Sequence, residues 1–171
     1  MATNASGPQA PEQAQPQKEH RWLQRLVGEW TFEGEAPMVP GQPPVRFSGR
    51  EAVRAIGELW VVAEDTGALG VGHEDVSQLT LGYDTKQRCF VAAWIGSMMT
   101  HLWTYQGELN PDETALTLSA EGPSMQGDGS LSQYRDIHEF RTNDHRVVTS
   151  YVRDAGGNWQ QFIEMNFHRL K

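Results

Sequence analysis

Charged residues set among apolar neighbours on alternating segments are the first candidates for chemistry. Arg135 and Glu164 fall on late segments of this kind, and Glu64 on an earlier one. An inward arginine offers a planar fork of donors that suits a ligand carboxylate. A buried charge without a partner is very costly, so an inward Arg135 needs Glu64 or Glu164 beside it. Alternation with period two does not say which face is inside.

Aromatic side chains come next. The chain has six tryptophans: Trp22, Trp30, Trp60, Trp94, Trp103 and Trp159. Large aromatics line small-molecule pockets, with a few polar groups fixing orientation. They also simply fill cores, and Trp22 and Trp30 fit that use. Met98 and Met99 lie between two aromatic segments, where an adaptable thioether suits a cavity mouth or a packing contact. The candidate lining set is Trp30, Trp60, Glu64, Trp94, Met98, Trp103, Arg135 and Glu164.

Other chemistries find less support. Asp136 and His138 stand two residues apart and share a strand face, which permits acid–base work, as does any solvated face. The histidines (His20, His73, His101, His138, His145 and His168) show no zinc-protease spacing, and no Cys/His cluster exists. No metal is therefore expected. Gly67, Gly70 and Gly72 lie between strands with no helix following, so a portal loop is expected in place of a phosphate cradle. No Gly-x-Ser-x-Gly elbow is present.

The elements that must hold these residues follow from periodicity. Of 171 residues, 1–18 are rich in Pro, Gln and Ala and read as a flexible tail, leaving 19–171 as one domain. A short helix is expected over about Gln17–Val27, with Trp22, Leu23 and Leu26 on one stripe, stopped by Gly28. Alternating segments then follow: Gly28–Ala36, Val45–Ile56 with Gly49 as a bend or bulge, Glu58–Asp65, Gln78–Tyr83, Arg88–Ile95, His101–Leu109, Thr114–Ala120, Leu131–Arg141, His145–Arg153 and Asn158–Arg169. Pro37, Pro40, Gly41, Pro43 and Pro44 make a loop. Strands joined by tight turns run antiparallel beside one another, and closing the sheet removes its edges. The expected fold is all-β: a single antiparallel up-and-down barrel of about ten strands with a short N-terminal helix. A β-sandwich is the runner-up.

Composition limits the partners. Asp and Glu total 22 against 14 Lys and Arg, a formal charge of -8, which disfavours nucleic acid and anionic lipid. No stretch approaches the ~20 apolar residues of a membrane-spanning helix. The single Cys89 excludes an internal disulfide, and the N-terminal stretch lacks a secretory apolar core, so a reducing, cytoplasmic compartment is expected. A homodimer is allowed, but no single residue argues for it.

The run Leu26-Val27-Gly28-Glu29-Trp30 after a short helix is similar to the Gly-x-Trp start of the calycins, the lipocalins and fatty-acid-binding proteins. In those barrels the tryptophan packs over the closed end. Pro43-Pro44, Gly57-Glu58-Leu59-Trp60-Val61-Val62-Ala63-Glu64, Leu81-Gly82-Tyr83-Asp84, Phe90-Val91-Ala92-Ala93-Trp94, Gly107, Leu116-Thr117-Leu118 and Glu164-Met165-Asn166-Phe167-His168-Arg169 follow in order. Together they resemble a largely bacterial family of lipocalin-like barrels whose function is not established, over about residues 19–171. The family pattern places an acidic or polar residue shortly after the Trp94 position; Ile95-Gly96-Ser97 stands here.

The resemblance implies a barrel with a central cavity. The leading expectation is a small-molecule-binding barrel, not an enzyme, for an apolar or amphipathic ligand and without a cofactor. Some calycin-like barrels isomerise or cyclise bound lipids, which makes Glu64, Glu164 and His138 the first residues to test for catalysis. Haem-binding nitrobindins share the Gly-x-Trp start and carry a proximal histidine on a late strand, so the haem alternative falls on His168. A further alternative is a solidly filled barrel serving as an interaction module.

Overall fold

A computed structural model describes residues 14–36, 43–68 and 74–171 of the chain. Most of the expected tail, the turn residues Pro37, Pro40 and Gly41, and Gly70, Gly72 and His73 lie outside the described residues.

One helix, α1 (Lys18–Gln24), precedes ten strands: β1 (Gly28–Ala36), β2 (Val45–Ile56), β3 (Trp60–Ala68), β4 (Asp75–Asp84), β5 (Cys89–Gly96), β6 (Trp103–Leu109), β7 (Ala115–Pro123), β8 (Leu131–Thr142), β9 (His145–Arg153) and β10 (Trp159–Arg169). Each strand pairs antiparallel with the next, and β1 pairs with β10, so the sheet closes into a barrel. Closure satisfies both edges and excludes the sandwich. Among the described residues no helix is long and apolar enough to cross a membrane.

Register sets the inner face. Trp30 and Phe32 of β1 stand opposite Glu51 and Gly49 of β2, and the same phase continues through Val61, Ala63 and Asp65 of β3. Around the wall it runs through Leu79 and Leu81, Ala92 and Trp94, Trp103 and Tyr105, Leu116 and Leu118, Asp136 and His138, Arg146 and Val148, and Phe167. Gly49 keeps regular register and makes no bulge. It is glycine because the Phe32 ring occupies the place of its side chain, and a Cβ there would also stand 2.8 Å from the Gly67 Cα. The register shifts fall elsewhere, between Phe140 and Thr142 and between Gln161 and Ile163.

One end of the barrel is closed. With 7 residues, α1 is too short to persist alone, so docking must hold it. Trp22, Leu23 and Leu26 pack into the core beside Trp30, Phe90 and Phe140. Each such aliphatic or phenyl side chain contributes roughly 1.5–3 kcal/mol on burial. The indole N–H of Trp22 donates to the Glu113 carbonyl at 2.8 Å, and that of Trp30 to the Leu26 carbonyl at 2.8 Å. Arg169 seals the junction: its guanidinium donates to the carbonyls of Val27 and Arg25 at 2.6 and 2.7 Å and lies 4.1 Å over the Trp30 ring. Gly28, at φ +135°, lets the chain turn from helix into strand beneath that arginine.

Candidate functional site

Above this apolar floor the inner face turns polar. Glu51 and Asp65 are register partners on β2 and β3. Arg146 reaches over from β9 and forms a buried ion pair with Glu51; the two side chains are 2% and 7% exposed. The same guanidinium lies 3.8 Å over the Phe167 ring and 5.0 Å over Trp30, and its Nε is buried without a hydrogen-bond partner. The Ser77 hydroxyl donates to one Asp65 oxygen at 3.1 Å, and the other oxygen finds no donor.

A proton resolves that orphan. Burial and the neighbouring Glu51 carboxylate push Asp65 up to about 7, against the pull of Ser77 and Arg146. Protonated, Asp65 donates to Glu51, with which it is in hydrogen-bonding contact. The pair is thus an acid and a carboxylate sharing one proton, with Arg146 on the carboxylate.

A second group faces the lumen from β6, β8 and β9. Asp136 is held above the usual carboxylate range by burial, although Ser150 and Tyr105 hydrogen-bond to it. Burial, then the Asp136 charge, raises Tyr105 as well, so it stays a phenol. His138, two residues along the same face, is pushed down to about 3 by burial and by Arg146, and its Nδ1 has no partner. Tyr105, Asp136 and His138 are half-buried, and register places all three on the inner face. Toward the end opposite α1 the wall becomes aromatic. Trp94 and Trp103 are register partners, and Trp103 packs edge-on against Tyr134 at 4.9 Å. The inner face therefore carries a polar belt below and aromatic side chains above.

The sequence candidates distribute unevenly. Trp30, Trp94 and Trp103 face inward, Trp30 within the closed floor and the other two in the upper wall. Met98 lies beyond β5, 43% exposed, with its sulfur beside Gly96, and Met99 accepts the Trp103 N–H at 3.1 Å. Four candidates require correction, because register puts them on the outer face. Trp60 covers Gly82 from outside, and Glu64 and Glu164 point into solvent. Arg135 lies 4.2 Å over the outer Trp159 ring. The internal charged cluster exists, but Glu51, Asp65, Asp136 and Arg146 build it.

His168 is also on the outer wall, its ring stacked on His145 at 4.5 Å, so it cannot ligate a haem in the lumen. Among the described residues no group of three or more His, Cys, Asp or Glu is arranged to hold a metal ion. A depression of about 270 Å³ beside α1, lined by Lys18, Tyr83, Arg88 and Asn110 among others, lies at the closed end, away from the polar belt.

Fold and site together define a closed ten-stranded antiparallel barrel with a polar interior belt. Residues 15–169 match the model of the protein family of unknown function DUF1579, and the chain belongs to that family. Among solved structures, the chain is similar to Rv2717c from M. tuberculosis at 15% identity and a TM-score of 0.60, covering 88% of this chain and 96% of that one. That likeness is one of fold. EF1p2_mFAP2b, solved bound to DFHBI, matches at 10% identity and a TM-score of 0.48, covering 89% of this chain and 99% of that one. A redesigned β-barrel, b11L5F_LGL, matches at 8% and 0.46, covering 88% and 96%. Those two scores carry no argument about this chain. No curated protein matches.

Proposed function

We propose that the protein is a calycin-like binding barrel that takes a small amphipathic molecule into its lumen. The apolar body lies against Trp94, Trp103 and Tyr134, and the polar head meets the belt of Asp65, Asp136, His138 and Arg146. One observation carries this reading. Polar groups lie in the middle of a largely apolar inner face, and Tyr105, Asp136 and His138 among them are only half-buried. Buried ionisable groups cost stability relative to well-packed apolar side chains of similar volume. A barrel built only to be filled gains nothing from them; a barrel that orients a ligand does.

An isomerase-type reaction in the same lumen is the second reading. It is favoured by Asp65, whose proton exchanges near neutrality.

Native mass spectrometry of protein purified gently from its own host, with an absorption scan, tests the proposal. A stoichiometric small-molecule mass without visible absorption is expected. Recovery of a ligand together with its isomer marks the second reading. A Soret band, or a bare mass that no added amphiphile changes, overturns the binding barrel.

A further inference from the structure

Among the described residues, carboxyl groups outnumber cations on the inner face. The belt holds three carboxyl groups, Glu51, Asp65 and Asp136, against the single cation Arg146. Arg146 pairs with Glu51 through one terminal nitrogen, while its Nε is buried without a partner. Asp75, inner-facing by register and opposite Gly67, adds another acid toward the end away from α1. Arg169 is spent on backbone carbonyls at the closed end. Among the described residues an entering carboxylate therefore meets one guanidinium, already paired with Glu51, and several acids. An entering alcohol meets donors and acceptors but no charge. An entering ammonium meets carboxyl groups lacking a counter-ion.

His138 supplies an independent sign of a missing donor. It faces the lumen on the same strand as Asp136, and its enclosed Nδ1 is without a partner. A neutral imidazole can present that nitrogen as an acceptor. Asp136 beside it is reached only by the neutral hydroxyls of Ser150 and Tyr105.

We propose that the lumen selects an amphipathic amine, whose ammonium group pairs with Asp136 beside the unpartnered His138 and whose apolar body runs up between Trp94 and Trp103. This rests on the binding-barrel reading and names its ligand class. Burial raises the proton affinity of Asp136 in the empty barrel. An ammonium ion pairs with the carboxylate, any proton on it leaving to solvent; an amine entering as the free base takes up a carboxyl proton and becomes the ammonium. In both cases the bound state is the same carboxylate–ammonium pair.

The test uses three probes of one chain length: decylamine, 1-decanol and decanoate. Each displaces Nile red, a neutral dye, at pH 7 below its micelle concentration. The expected order is decylamine, then decanol, then decanoate. Amine and acid should differ by ~10-fold or more, corresponding to about 1.4 kcal/mol. Asp136→Asn keeps the side-chain shape and should remove the preference for the amine while leaving decanol within about twofold, well under that 1.4 kcal/mol. Calorimetry of the wild type needs no variant, and should give the same order of affinities. Equal affinities, tightest binding of decanoate, or an amine preference unchanged in Asp136→Asn overturns the amine assignment and leaves the binding barrel standing. Failure of the dye and all three probes to bind overturns both.

Discussion

Asparagine at position 65 should stabilise the protein, and increasingly so as pH rises. In the folded chain the Asp65 proton is held up to about 7, against an ordinary value of 3.8. A carboxyl raised on folding contributes stability that is fully present below its unfolded value and lost as pH climbs through its folded value. The window is therefore about pH 4 to 7. At 1.36 kcal/mol per tenfold in proton affinity, the full effect is on the order of 4 kcal/mol. About 3 kcal/mol of it falls between pH 5 and pH 8, because the unfolded carboxyl has already lost its proton while the folded one keeps its own until about pH 7. Asp65→Asn cannot ionise and still donates to Glu51 from the same position. Wild type and variant share the opposing contribution of His138, whose depressed proton affinity makes stability rise between about pH 3 and 6.5. Taking the difference between the two proteins removes it. Thermal unfolding at pH 5 and pH 8 is the assay. The melting temperature of the variant relative to wild type should rise by roughly 6–12 °C between the two, since a chain of this size gains about 2–4 °C per kcal/mol. A difference that is flat with pH, or that shrinks toward pH 8, would refute the shared-proton account.

Two further variants test the barrel itself, and a third pair tests which face binds. Glu51→Gln strands the Arg146 charge inside the wall and should cost about 3–5 kcal/mol in urea denaturation, with a good part recovered when Arg146→Met is added. Gly34→Ala puts a Cβ 2.6 Å from the Glu164 carbonyl oxygen and 2.7 Å from the Phe47 ring. Overpacking of that kind should cost about 1–3 kcal/mol, read from the same denaturation curves. Glu64→Gln and Glu164→Gln change only the outer face, and Nile red affinity should stay within about twofold of wild type, a difference well below the 1.4 kcal/mol of a tenfold change.

The fold was legible because short turns punctuate clean alternation. Asn110 shows why such turns read well: its side-chain oxygen accepts from the backbone of Thr114 and Ala115 at 2.8 and 2.9 Å. The inward face was less legible, for a local reason. In Trp60–Ala68 both Val61 and Val62 are buried, one in the core and one in the outer wall, so phase gives no preference between Glu64 and Asp65. In β10 the register shift at Gln161/Ile163 breaks the alternation that would have assigned Glu164. Arg135 sits beside Asp136, and the aromatic that covers it, Trp159, lies two strands away in the sheet. A usable signal did exist. Asp136 and His138 share the phase of Phe140 and Tyr134, and Arg146 that of Val148. Polar residues in step with a strand's largest apolar side chains pointed to the belt. Helix and strand limits moved by a few residues, as at β3, which runs on from Asp65 to Ala68, and at α1, where Gln17 is the cap.

The most direct test of a lumenal binding site is fluorine NMR of protein labelled with 5-fluorotryptophan, titrated with decylamine and then with decanol. The six indoles report separate places: Trp94 and Trp103 the chamber wall, Trp22 and Trp30 the closed floor, Trp60 and Trp159 the outer face. Single tryptophan-to-phenylalanine variants assign the lines. Saturable shifts of Trp94 and Trp103, with Trp60 and Trp159 unmoved, are the predicted result. Shifts confined to Trp60 or Trp159 would place binding on the outer wall and contradict a ligand in the lumen.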